Sequence, residues 1–145
     1  MNKAFFFFLV AAAPVNASVF QIGPAFGRQD TDTGKVIAYY FHSATRCPTC
    51  YKLEQYSKEA IEANFKDALA SGKLEFKVVN VEERGNEHFT QDYQLYTKSL
   101  VISLVKGGKE IKSKNLAKIW DYVSNKQKFI NYVTEEVNNF LKETQ

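Results

Sequence analysis

Both cysteines of this 145-residue chain, Cys47 and Cys50, stand in one short run, TRCPTC. Two thiols with two residues between them can form a redox pair, supply half of a metal site, or close one inert loop. On a helix, residues three apart share a face at a Cα separation of about 5 Å, within the range a disulfide accepts. Pro48 suits the first helical position, because the N–H it lacks would be unpartnered there anyway. Cys47 then marks the N-terminal edge of a helix, where unpaired N–H groups and the positive dipole end favour a thiolate. Arg46 adds a neighbouring positive charge. Cys50, one turn deeper, receives less of both. The expected chemistry is attack by Cys47 on a partner's disulfide, followed by release through Cys50 across Pro48 and Thr49.

Two plainer uses of the pair compete with that reading. A structural bridge over so small a loop removes little chain entropy and makes a weak staple. A metal centre needs two more ligands, and the histidines are His42 and His88 alone. His42, shortly before Cys47, is the one that a Cys–Cys–His set would recruit. The simpler assignments are His42 as a strand-end residue with its ring against the turn and His88 as a solvated one. No metal and no cofactor are assigned.

The cysteine turn must be held by the elements around it. Lys35 to Ser43, KVIAYYFHS, is almost continuously apolar and rich in β-branched and aromatic residues, as a strand covered on both faces would be. After the cysteines, Leu53, Tyr56, Ala60, Ile61, Phe65 and Leu69 recur at helical steps, with Lys and Glu on the other face and a stop at Ser71-Gly72. Leu74 to Val81 reads as a second strand, and Asn86 to about Leu95 as a short helix capped by Asn86. Leu100 to Val105 is a third strand. Lys106 to Lys109 is a tight turn, and Glu110 to Lys112 begins the returning strand of a hairpin. Asn115 to Val123 reads as a short helix carrying Trp120. A capping box at Ser124 to Gln127 opens a last helix with Phe129, Val133, Val137 and Phe140/Leu141 on one face.

Ahead of these elements, Lys3 and the apolar run Ala4 to Ala13 are followed by Pro14 and the small-x-small triplet Val15-Asn16-Ala17. This pattern predicts a secretory signal peptide over residues 1–17, cleaved after Ala17, and a periplasmic or secreted mature chain without a membrane span. Disulfides persist in such a compartment. Residues 18–34 read as an N-terminal arm, with a short strand near Val19 to Ile22, and residues 35–145 as one domain. The formal net charge is +3, with lysines and glutamates interspersed, so no nucleic-acid partner is expected. The Gly107-Gly108-Lys109 stretch lacks the upstream glycine of a phosphate loop.

The order strand, CxxC at a helix N-terminus, helix, strand, helix, hairpin, helix resembles the thioredoxin fold. That is an α/β architecture with a central mixed sheet flanked by helices. Within that superfamily, YYFHSATRCPTC with the following KLEQYSKEAI is similar to the thioredoxin-like group labelled nitrophenyl compound nitroreductase subunit. The resemblance implies a nucleophilic Cys47, a resolving Cys50, and a protein or small-molecule disulfide or dithiol as redox partner. Three positions depart from the thioredoxin pattern. Arg46 stands where an aromatic residue precedes the first cysteine, and the position of the buried acid falls near Tyr40. The cis-proline that faces the cysteines falls at Leu100, after Ser99. A non-proline cis bond costs roughly 3 kcal/mol, so the Ser99–Leu100 bond is predicted trans.

Overall fold

A computed structural model describes residues 34–144 of the chain. The expected signal peptide, its cleavage point and all of the arm except Gly34 lie outside the described residues.

Four strands form one sheet in the order β2-β1-β3-β4. The first strand, β1 (Lys35–His42), is central because its sequence can be buried on both sides, and it is. It pairs in parallel with β2 (Leu74–Asn80), from Val36 opposite Leu74 to His42 opposite Asn80. On its other side it pairs antiparallel with β3 (Ser99–Lys106), from Lys35 opposite Val105 to Phe41 opposite Ser99. Strand β4 (Lys109–Asn115) returns along β3 and is exposed throughout. The β3–β4 turn is Gly107-Gly108, with φ of 55° and 74°; a two-residue hairpin loop that matches strand twist needs positive φ at both positions.

Alternation along β1 sorts the core into two layers. Val36, Ala38 and Tyr40 face helices α1 (Pro48–Asn64) and α5 (Lys126–Lys142), packing with Leu53, Ile61, Leu100, Ile102, Phe129 and Val133. Tyr39 and Phe41 face the opposite way, onto Leu95, Val101, Phe89 and Tyr93 around the short helix α3 (His88–Asp92). The mixed sheet, its strand order and the Cys47-Pro48-Thr49-Cys50 turn at the start of α1 make this a thioredoxin-like fold.

Several boundaries differ from the sequence expectation, each for a local reason. The long helix expected through Leu69 breaks at Phe65 (φ −129°, ψ 35°), and α2 (Lys66–Ala70) resumes beyond it. At the break the Asn64 side chain donates to the Ala60 carbonyl at 2.8 Å, competing with the helical ladder. Asn86 does not cap α3. Its side chain donates to the Asn80 carbonyl at 3.0 Å, and Glu87 occupies the cap position without a side-chain bond. Asn115 ends β4 rather than opening a helix, because the returning strand runs on past Lys112, and α4 is only Ile119–Tyr122. The N-cap of α5 is Asn125, which accepts from the Lys128 N–H, and not Ser124. The Gln127 side chain donates instead to Asn131, so the capping box does not form.

Leu53, fully buried one turn beyond Cys50, anchors the cysteine helix in the core. Leu53→Ala is expected to destabilise the fold by about 2–5 kcal/mol in urea denaturation, through lost burial and the cavity left behind.

Candidate functional site

The chain leaves the centre of the sheet at His42, crosses Ser43 to Arg46, and enters α1 at Cys47. Cys47 has extended backbone (φ −102°, ψ 164°) and is the N-cap; its Sγ accepts the Cys50 N–H at 3.2 Å. A side chain at this position satisfies one of the helix's unpartnered donors, and here sulfur takes the place usually held by a Ser, Thr or Asp oxygen. Pro48 occupies the first turn, as its chemistry requires. Cys47 and Cys50 are joined as a disulfide with Cα atoms 5.0 Å apart. Cys47 and Pro48 are exposed, Thr49 is half-buried, and Cys50 is buried at 2 % exposure. The two sulfurs therefore meet solvent unequally.

Beneath the turn lies Tyr40, fully buried, whose hydroxyl donates to the Cys50 carbonyl at 2.7 Å. Burial pushes its phenol up from 10.0 to about 12, partly offset by the charge of Arg46. Tyr40 is thus neutral at physiological pH. It braces the first turn of α1 and is no proton acceptor for the thiols.

Arg46, the neighbouring positive charge expected beside Cys47, is paired. Its guanidinium forms an ion pair with Glu54, and it lies over the Tyr51 ring, 4.6 Å from the centroid. Arg46 Nε has no hydrogen-bond partner among the described residues. A second carboxylate approaches from across the sheet, where Glu82 accepts the Ala44 N–H at 3.0 Å. Two negative groups and one positive group therefore surround the turn. Neither carboxylate is visible as part of a site in sequence, because only the helical turn and the β1–β2 pairing bring them there.

Ser99 and Leu100 open β3 at the same end of the sheet, opposite Phe41 and Tyr40. Both are buried, and no peptide bond among the described residues is cis, so Ser99–Leu100 is trans as expected. The approach to β3 is tied down by side chains: Ser99 Oγ donates to the Thr97 carbonyl (2.9 Å) and Trp120 Nε1 to the Lys98 carbonyl (3.0 Å). Trp120 reads in sequence only as part of a short helix, although a buried indole N–H usually finds an acceptor. Between Ser43 and Lys98 a pocket of about 150 Å³ opens, floored by Phe41, Val81 and Leu95, with the exposed Tyr96 on its rim.

His42 ends β1 with Nδ1 3.0 Å from the Ser43 carbonyl and its ring stacked on Tyr40. His88 is exposed and lies against Phe89. Among the described residues no three Cys, His, Asp or Glu side chains gather as metal ligands, and no helix is long and apolar enough to cross a membrane.

The chain is similar to several solved thioredoxins. For thioredoxin O2 from Arabidopsis thaliana the identity is 13%, the cover 66% of this chain and 76% of that one, and the TM-score 0.39. For Fasciola hepatica thioredoxin the values are 22%, 64%, 82% and 0.38. For a thioredoxin from Thermus thermophilus they are 18%, 62%, 72% and 0.37. No protein-family model and no curated protein matches the chain. No nitroreductase subunit is among the likenesses found. The fold class stands on the chain's own strand order and the position of its cysteines.

Tyr40→Phe removes one donor from the Cys50 carbonyl and is expected to cost about 1 kcal/mol at neutral pH. Because the native phenol titrates above its unfolded value, its contribution is full below pH 10 and is lost as pH rises through about 12. Urea denaturation across that range should show the variant with a shallower alkaline decline than the parent.

Proposed function

We propose that the chain is an extracytoplasmic thiol–disulfide oxidoreductase whose Cys47–Cys50 pair cycles between dithiol and disulfide. The observation that carries this reading is the unequal setting of the two sulfurs. Cys47 is exposed and capped onto a helix N-terminus, and Cys50 is buried one turn behind it within bonding distance. An N–H bond to sulfur and the positive end of α1 both favour negative charge on Cys47.

In the reducing direction, the Cys47 thiolate attacks one sulfur of a partner disulfide, forming a mixed disulfide and expelling the partner's other sulfur as thiolate. The Cys50 thiol gives its proton to solvent and attacks Cys47 Sγ. The second partner thiolate leaves, two electrons have passed to the partner, and the Cys47–Cys50 bond is restored. The opposite sequence oxidises a partner dithiol. The pocket beside Ser43 and Lys98 is sized for one side chain flanking the partner's reacting sulfur. The export signal read in residues 1–17 supports a periplasmic or secreted setting, where the pair's direction depends on which donor or acceptor meets it.

The resemblance of the YYFHSATRCPTC segment to nitrophenyl compound nitroreductase subunits is read from the sequence motif alone. We hold it as a proposal about descent, since nitro reduction needs an electron carrier beyond one dithiol. The rival reading, a binding protein that holds a soft metal or metalloid ion through the two thiols, has the exposed Cys47 in its favour.

Mixed-disulfide trapping tests the assignment. Cys50→Ser is expected to accumulate a covalent adduct with a disulfide peptide through Cys47, while Cys47→Ser forms little. Alkylation of the reduced parent against pH should show Cys47 reacting ahead of Cys50, with a pKa below ~8.5. Equal, sluggish thiols would sink the oxidoreductase reading. Native mass of the reduced protein with an ion retained, and lost in Cys47→Ser, would favour the binding protein.

A further inference from the structure

The cation beside Cys47 is paired with a residue two helical turns away. Arg46 follows the sheet-to-helix loop and precedes the N-cap cysteine directly, so its cation could bias Cys47 toward thiolate. Its guanidinium instead meets Glu54 on α1, and the pair is largely shielded, with side-chain exposures of 18% and 25%. Such a pair is screened less than an ion pair in open solvent. Tyr51, one turn before Glu54, supplies a ring face under the guanidinium at 4.6 Å, which fixes its position on the helix surface. The Arg46 charge also acts on the buried Tyr40 hydroxyl, which is bonded to the Cys50 carbonyl.

We infer that Glu54 is a positioning residue for the thiol pair: by holding and neutralising Arg46 it limits the positive charge that Cys47 experiences. This inference rests on the reading of Cys47 as the attacking thiol. The remaining ionisable and polar groups around the turn do not substitute for it. Glu82 comes from the segment after β2 and is engaged with the Ala44 N–H, while His42 and Tyr40 come from β1 and are bonded to the Ser43 and Cys50 carbonyls. Arg46 and Glu54 are thus the oppositely charged pair that can be shifted without dismantling the turn. The carboxylate acts as a brake. With it, the helix N-terminus is the main source of thiolate character; without it, Arg46 adds its charge.

The test is the Cys47 pKa in the reduced protein, read from thiolate absorbance and from alkylation rate against pH, in the parent, Glu54→Gln, Arg46→Met and the double variant. Glutamine keeps the size and helix propensity of Glu54, and circular dichroism checks that each variant is folded. Glu54→Gln is expected to lower the Cys47 pKa by about half to one unit, a three- to tenfold gain in thiolate below the pKa. Arg46→Met should raise it, since Glu54 is then uncompensated, and the double variant should return close to the parent. A rise in reduction potential in Glu54→Gln should accompany the lower pKa. An unchanged Cys47 pKa in folded Glu54→Gln, or a fall in folded Arg46→Met, overturns the inference. The thiol titrates whether or not it is the faster of the two. A parent in which Cys47 and Cys50 react alike therefore tells against the oxidoreductase reading, separately from any Glu54 effect.

Discussion

A single hydrogen bond joins the centre of the sheet to the chemistry at its edge. Tyr40 is buried because β1 lies inside the sheet, paired with β2 on one side and β3 on the other, and its hydroxyl must find an acceptor once it is removed from water. The acceptor is the carbonyl of Cys50. The position of the second cysteine is therefore fixed from below by the core and from its own side by the helix. The same strand places Phe41 against Ser99 and His42 against Asn80, so the segments that border the disulfide all take their register from β1. The burial of one strand organises the site.

The electrostatics of that site are more balanced than a cation beside a cysteine implies. Glu54 and Glu82 both reach the turn, and one guanidinium answers them. What remains to favour a thiolate is the backbone: the N–H of Cys50 aimed at Cys47 Sγ and the dipole of a 17-residue helix behind it. Both act at short range, because those donors are fixed in place and the dipole's effect falls off within the first turn.

Much of this was legible in the residues. The apolar run of β1, the proline after Cys47 and the 3–4 spacing of Leu53, Ala60 and Ile61 are strong local patterns, and each gave an element close to its observed place. The less legible parts are those decided by contacts far apart in sequence. Asn86 looks like a helix cap from its neighbours, but the Asn80 carbonyl left at the end of β2 takes its side chain. The continuation of β4 to Asn115 has no apolar alternation to announce it, because an exposed edge strand of lysines owes its form to β3. Glu54 and Glu82 read as ordinary helix and loop acids, and only the folded chain turns them toward the cysteines. The missing proline at Leu100 was visible; what replaces its constraint was not.

Two residues before Leu100, the Lys98 carbonyl is held by the indole of Trp120, 22 residues further along the chain. A proline ring stiffens its own peptide wherever the chain happens to be, whereas this strap exists only while α4 is seated behind the sheet. The start of β3 is thus answerable to a distant element. Whatever loosens the seating of α4, be it heat or a substitution in its four residues, also frees the Lys98 carbonyl at the entrance to β3.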